Sequence, residues 1–214
     1  MTVVNSTDPG QVVIREPQQE RSRRSFQKVM ASAEHILATQ GIEDFTMHAV
    51  ASHAEVSIGA IYRRFDSREV LLAAVKDRIL GRLEADLAER LDTADPTLSG
   101  VVSAFVHAIT TALSRGGSIF PDLLRPGQSS LEQRGEQALD RVKQTFDQAL
   151  APFLQDIRRP DPATALATVQ RTVVGACIHR AASGEHLHET MPWDVYADEL
   201  SLMATTYLAT PAQG

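Results

Sequence analysis

Apolar residues recur every three or four positions along most of the chain, which is the period of an amphipathic helix. Phe26, Val29, Ala33, Ile36 and Leu37 form one stripe that ends at Gly41. Val50, Ala51, Ala54, Val56, Ile61 and Phe65 form a second set, split over two short segments. Leu71, Leu72, Val75, Ile79, Leu80, Leu83 and Leu87 continue along one face of a long helix over 67–91. Further on, the same period predicts helices from Asp95-Pro96 to about Arg115 and from about Ser129 to Ile157, with a bend near Pro152. Two more are expected, from Ala163 to about Ser183 and from Pro192 through Leu208. Gly116-Gly117, the turn-rich stretch from Pro121 to Gly127, Arg159-Pro160-Asp161-Pro162 and Gly184 supply the breaks. No segment alternates as a strand does, and no repeat is evident. The expected fold class is all-α.

The split set over 41–71 is the most specific feature. Thr46 precedes its first segment and Ser57 its second, and both are side chains that cap helices by accepting an orphan backbone N–H. Small Ala51 and Ala54 let two helices cross closely. If Val50, Ile61 and Phe65 point inward, then His48, Ile58, Gly59, Ala60, Tyr62, Arg63 and Arg64 turn wholly or partly outward. A narrow surface with a tyrosine, two arginines and a Gly-Ala pair suits a helix lying in a DNA major groove. An ordinary two-helix corner with a solvated charged face fits the same spacing.

The stretch closely resembles the N-terminal DNA-binding domain of the tetracycline-repressor (TetR) family. Gly41, Thr46, Val50-Ala51, Ala54, Val56-Ser57, Gly59, Ile61-Tyr62, Phe65, Ser67, Glu69 and Leu71 carry the likeness in order and spacing. The motif covers residues 21–80 or so; past that point only length and helical character agree. Four positions depart from the family pattern. Glu55 stands where a turn glycine is usual, Ala60 for a threonine, Arg64 for a histidine and Arg68 for a lysine. The resemblance implies an N-terminal three-helix helix-turn-helix domain and a C-terminal helical ligand-binding and dimerisation domain. The expected boundaries are a flexible arm over 1–20, the DNA-binding domain over 21–68, a linking helix over 69–90, and the effector and dimerisation domain over 91–214.

The resemblance also implies roles. Thr46 and Ser57 would seat phosphates at helix N-termini, and His48, Ile58, Gly59 and Ala60 would face base edges. Tyr62, Arg63, Arg64 and Arg68 would contact phosphates, one arginine reaching guanine. The partner would be a pseudo-palindromic DNA operator read by a homodimer. Gly175-Ala176 in an apolar run, together with Val173, Ile178, Tyr196, Leu200, Met203 and Tyr207, would make half of a four-helix dimer interface. Intramolecular core is the alternative for any one of these residues.

Composition narrows the picture only a little. The chain has 214 residues, 43% of them hydrophobic, enough for one or two compact domains. Its net charge of −6 argues against indiscriminate nucleic-acid binding. Residues 15–70 hold eight basic and eight acidic residues, so this segment is neutral within an acidic chain. Placement therefore matters more than total: Arg21, Arg23, Arg24, Lys28, Arg63, Arg64 and Arg68 can share a face. The one cysteine, Cys177, permits no internal disulfide and fits a reducing cytoplasm. No apolar run is long enough for a membrane span, and the N-terminus lacks the pattern of a signal peptide.

Enzymatic chemistry finds little support, and no cofactor or metal is expected. His186 and His188, flanked by Glu185 and Glu189, resemble a ligand cluster, but alternating polar residues in a short loop are more often solvated. A small apolar effector is expected among residues 83–180, lined by Phe105, His107, Phe120, Phe146 and Cys177, with His107 as polar anchor; simple core filling competes with that reading. The sequence reading is a repressor released from its operator by such an effector. Its rivals are a helical adaptor without DNA binding and an all-α metal enzyme using His186, His188 and Glu189.

Overall fold

The computed structural model describes residues 18–116, 119, 123, 130–183 and 191–211, and no strand occurs among them. The expected arm up to residue 17, the Arg21 side chain, Phe120, most of the connector over 121–127 and the cluster around His186 and His188 lie outside the described residues or side chains; residues 18–20, expected in the arm, open the first helix.

Helix α1 (Gln18–Gln40) buries Val29, Met30, Ala33, Ile36 and Leu37 on one face. It stops at Gly41, whose φ of 81° is a left-handed conformation that glycine adopts without steric cost. Phe26, expected inside, is 40% exposed; its ring lies against the rim of the core, 6.1 Å from that of Phe65. Helices α2 (Met47–His53) and α3 (Ile58–Tyr62) follow, each with the cap read from the sequence. The Ala49 N–H donates to Thr46 Oγ1 at 3.1 Å and the Ala60 N–H to Ser57 Oγ at 3.2 Å. Five and seven residues are too few to hold as isolated helices, so packing of Val50, Ala51, Ala54 and Ile61 must fix them.

Helix α4 (Arg68–Asp92) is capped by Ser67 and runs 25 residues without a break. Leu71, Leu72, Val75, Leu80, Leu83, Leu87 and Leu91 are buried along it. It packs against α1, against α5 (Leu98–Gly116) and against α6 (Ser130–Leu150). Ion pairs tie both flanks. Arg78 and Arg82 reach Glu34 of α1, while Asp77 and Glu84 receive Arg134 of α6, and Glu84 also Arg141. Burial, the largest single influence, pulls the Arg134 guanidinium down, but the hydrogen bonds and charges of Glu84 and Asp77 together exceed it and hold the group above its usual pKa.

Asp95-Pro96 does not open α5. Thr97 does: its hydroxyl accepts the Gly100 N–H at 3.0 Å. Gly100 is needed there, because a Cβ at that position would sit 2.4 Å from the Asp95 carbonyl oxygen. The helix expected to reach Ile157 ends at Leu150, and Ala151–Asp156 tightens into a 3₁₀ turn. Pro152 lacks the N–H a continuing α-helix needs, so the expected bend becomes a change of helix type. Helix α7 (Pro162–Ser183) starts at Asp161, whose carboxylate accepts the N–H groups of Ala163 and Thr164 and the Thr164 hydroxyl. Those bonds from Thr164 and Ala163 hold the Asp161 carboxyl below its usual pKa. Helix α8 (Trp193–Ala209) lies along α5 and α7.

One residue carries visible backbone strain. Glu55, in the turn between α2 and α3, has φ of 55°, a region that side chains other than glycine enter at a cost of roughly 1–2 kcal/mol. Glycine there would remove that strain but give back about 0.4–1 kcal/mol through a more flexible unfolded chain. Glu55→Gly is expected to raise unfolding stability by roughly 0.5–1 kcal/mol, read as a higher urea midpoint at unchanged slope. A lowered midpoint would show that the Glu55 side chain, not the turn geometry, decides stability at this position.

Candidate nucleic-acid interface

Ile61 is fully buried and acts as the peg that seats α3; everything around it is set by that anchor. Tyr62 is 49% exposed and Arg63 is exposed, so the end of α3 presents an aromatic hydroxyl and a guanidinium to solvent. Gly59 is exposed, and a Cβ built on it meets nothing within 4 Å. A flat surface can thus approach the α3 backbone closely. Ala60 and Ile58 are half-buried, Ile58 resting against the core, while His48 of α2 is exposed. Thr46 and Ser57 cap their helices, and each hydroxyl keeps its own O–H as a donor.

Arg64 and Arg68 stand differently. Arg64 turns back onto α1: its Nη2 donates to the Ser22 carbonyl at 2.7 Å and to the Ser22 hydroxyl at 2.8 Å, and its Nη1 to Ser25 Oγ at 3.3 Å. Arg68 donates from Nε to the Phe45 carbonyl at 2.6 Å and from Nη2 to the Ile42 carbonyl, and it sits over the Phe45 ring. One guanidinium therefore pins the end of α3 to α1; the other closes the loop over 41–46. Charge-assisted bonds of this kind are about twice as strong as neutral ones. Nothing in the spacing foretold them, since the partners lie 42 and 23 residues away. Arg64 brings the start of α1 beside the end of α3, where exposed Arg23, Arg24 and Lys28 add cationic side chains.

The α1–α2 contact carries a histidine pair that the sequence reading passed over. The rings of His35 and His53 lie 4.7 Å apart, and His53 Nδ1 is 3.0 Å from Ser32 Oγ.

Of the described residues expected to line an effector site, Phe105, Phe146 and Cys177 lie in the core and His107 stands apart against α8. Phe105 and Phe146 are fully buried and stack at 4.0 Å between α5 and α6. Cys177 is fully buried on α7, and burial pushes its thiol pKa up to about 12, against a smaller opposite pull from Arg180. These three side chains fill the core. His107 faces α8 instead, with Nε2 at 3.1 Å from Asp198 Oδ1, beside a cavity of about 250 Å³ shared with Thr110, Ser114 and Trp193. Among the described residues no group of three or more His, Cys, Asp or Glu side chains is arranged to hold a metal ion.

Residues 29–75 match the family model of bacterial regulatory proteins, tetR family. By sequence the chain matches no curated protein. In fold it is similar to the transcriptional regulator FadR from Bacillus subtilis, solved in complex with stearoyl-CoA, with TM-score 0.67, 16% identity, and 85% of this chain and 98% of that one covered. A TetR-like transcriptional regulator from a Rhodococcus species gives TM-score 0.63 at 21% identity over 91% of this chain and 99% of its own. NalD, the secondary repressor of the MexAB-OprM multidrug efflux pump in Pseudomonas aeruginosa, gives 0.60 at 16% identity over 88% and 97%. Residues 29–75 thus carry the helix-turn-helix DNA-binding domain of the tetR family of bacterial regulatory proteins.

Proposed function

We propose that the chain is a homodimeric, cytoplasmic repressor whose hold on its operator is relaxed by a small-molecule effector. The observation that carries the DNA-reading half is the end of α3, where Tyr62 and Arg63 project from a helix locked by buried Ile61. Tyr62 and Arg63 contact phosphates, joined by Thr46 and Ser57 at the helix starts; His48, Ile58, Gly59 and Ala60 meet base edges. Arg64 and Arg68 act chiefly by fixing α3 and the preceding loop, and their charge still adds to the local field. Exposed Arg23, Arg24 and Lys28 extend the backbone-contacting surface. Two fold neighbours support the regulatory half: one is a repressor and the other was solved with stearoyl-CoA.

The dimer reading rests on the outer face of α7 and α8. Leu202 is 63% exposed, and Met203 and Val195 are also well exposed, an apolar surface that water disfavours. A shallow apolar groove of about 170 Å³ runs between the helices, walled by Val169, Thr172, Val173, Met203, Ala204 and Tyr207. Gly175 is exposed with nothing within 4 Å of a built Cβ, so a partner helix can cross it closely. No helix among the described residues is long and apolar enough to cross a membrane.

Two expectations follow. Arg63→Ala should weaken operator binding and make its salt dependence shallower by about one unit of slope, with the urea midpoint unchanged. Arg64→Ala should lower the urea midpoint, because the bonds to Ser22 and Ser25 go. A salt titration that leaves the Arg63→Ala slope at the wild-type value removes that residue from the phosphate-contacting set.

Gly175→Leu should give a folded monomer by sedimentation velocity, since the leucine meets open space within one protomer and a clash only at a close helix crossing. A fully dimeric Gly175→Leu protein places the interface elsewhere.

A further inference from the structure

A cleft of about 310 Å³ opens where the DNA-binding domain meets the rest of the molecule, between α1, α4 and α5. Its wall is apolar: Ala38 of α1, Ile79 and Leu83 of α4, Ala108 and Ala112 of α5, and Ile119. Its charged groups are unevenly matched. Arg82, Arg90 and Arg115 line it, against the carboxylates of Glu34 and Asp86. Glu34 is already engaged, with Oε2 accepting from Arg82 at 2.6 Å and Oε1 in an ion pair 2.9 Å from Arg78 Nε. That Oε1 atom is buried and lacks a well-directed hydrogen bond, so the ion pair alone holds it. Arg90 and Arg115 are exposed and form no ion pair with any described residue. A concave wall of low polarity concentrates the field of unmatched charges, and guanidinium groups suit carboxylates through paired hydrogen bonds. The volume is at the small end for ligand sites.

We infer that this cleft binds a small amphiphilic carboxylate, head group on Arg90 and Arg115 and apolar body along Ile79, Leu83 and Ala112, and that the bound anion draws Arg82 from Glu34. Glu34 belongs to α1, inside the segment that matches the DNA-binding family, and Arg82 to α4. Releasing that ion pair loosens the seat of α1 on α4, and α1 carries α2 and, through Arg64, the end of α3. The coupling part rests on the regulator reading above; the binding part does not.

The test uses the full chain with sodium octanoate as probe, octan-1-ol and octylamine as controls of equal apolar length, and a duplex selected by the protein from a random pool. Octanoate should raise the melting temperature in a concentration-dependent way, octanol less, and octylamine not at all. Arg90→Ala/Arg115→Ala should weaken octanoate binding at least tenfold while keeping the wild-type circular dichroism. Ala112→Phe, which fills the cleft from the other side, should do the same. Octanoate should lower operator affinity about 5–150-fold, the ordinary range for allosteric coupling. Glu34→Gln, which removes one side of the ion pair, should shrink that ratio.

Equal shifts with octanoate and octylamine, or an octanoate shift that survives both the arginine and the Ala112→Phe variants, overturn the site. Arginine-dependent octanoate binding with operator affinity unchanged overturns the coupling and leaves the site standing. If no duplex is retained even without octanoate, the regulator reading falls and the coupling with it, while the thermal shifts still decide the site.

Discussion

A single unbroken helix has to satisfy two parts of this molecule at once. Helix α4 is 25 residues long, roughly 37 Å at 1.5 Å per residue, and its buried leucines run from Leu71 to Leu91. One flank is ion-paired to α1 through Glu34, the other to α6 through Asp77 and Glu84. Helical hydrogen bonding makes such a rod stiff along its length. A tilt produced at the α5–α6 side therefore appears at the α1 side as well. The short helices α2 and α3 cannot hold themselves, so their position is inherited from α1 and α4.

The inheritance runs through few atoms. Arg64 and Arg68 are the joints: the first binds the end of α3 to Ser22 and Ser25, the second closes the loop over 41–46 onto the start of α4. Both are half-buried, where water competes less for the guanidinium hydrogens. The proposed reading surface is consequently built on arginines that face inward as much as on those that face out. Lysine at either place would supply charge but not the forked geometry that reaches two acceptors.

Much of this was legible from the sequence, and the reasons are specific. Burial of Val50, Ala51, Ala54, Ile61 and Phe65 follows from a period that any amphipathic helix must show. Thr46, Ser57 and Ser67 cap their helices because capping is a local interaction, three residues wide. Interactions across the fold left no such trace. The partners of Arg64 are side chains and a carbonyl on α1, and a carbonyl has no sequence signature at all. Phe26 kept the helical register yet surfaced, because a stripe gives direction and not depth. Phe105, Phe146 and Cys177 were chosen for size and polarity; the distinction between a pocket wall and a filled core is whether neighbours leave a gap, which depends on packing in three dimensions. The cleft lined by Arg90 and Arg115 was missed for the same reason, since its walls come from three helices far apart in the chain. Glu55 was visible as a departure at a turn position, and the structure gives it a left-handed backbone instead of a rerouted loop.

Cys177 gives the chain one experimental property of its own. It is the sole cysteine in 214 residues, it is fully buried, and its thiol pKa is pushed up to about 12. Alkylating reagents attack the thiolate and need access, and Cys177 offers neither at neutral pH. The folded protein is thus expected to resist maleimides without any background mutation. A cysteine installed at an exposed position would be the only site labelled, once per protomer. In the two-fold dimer proposed above, that would yield a single label-to-label distance, so the spacing of its two α3 helices would become a quantity that spin-label or fluorescence ranging can follow in solution.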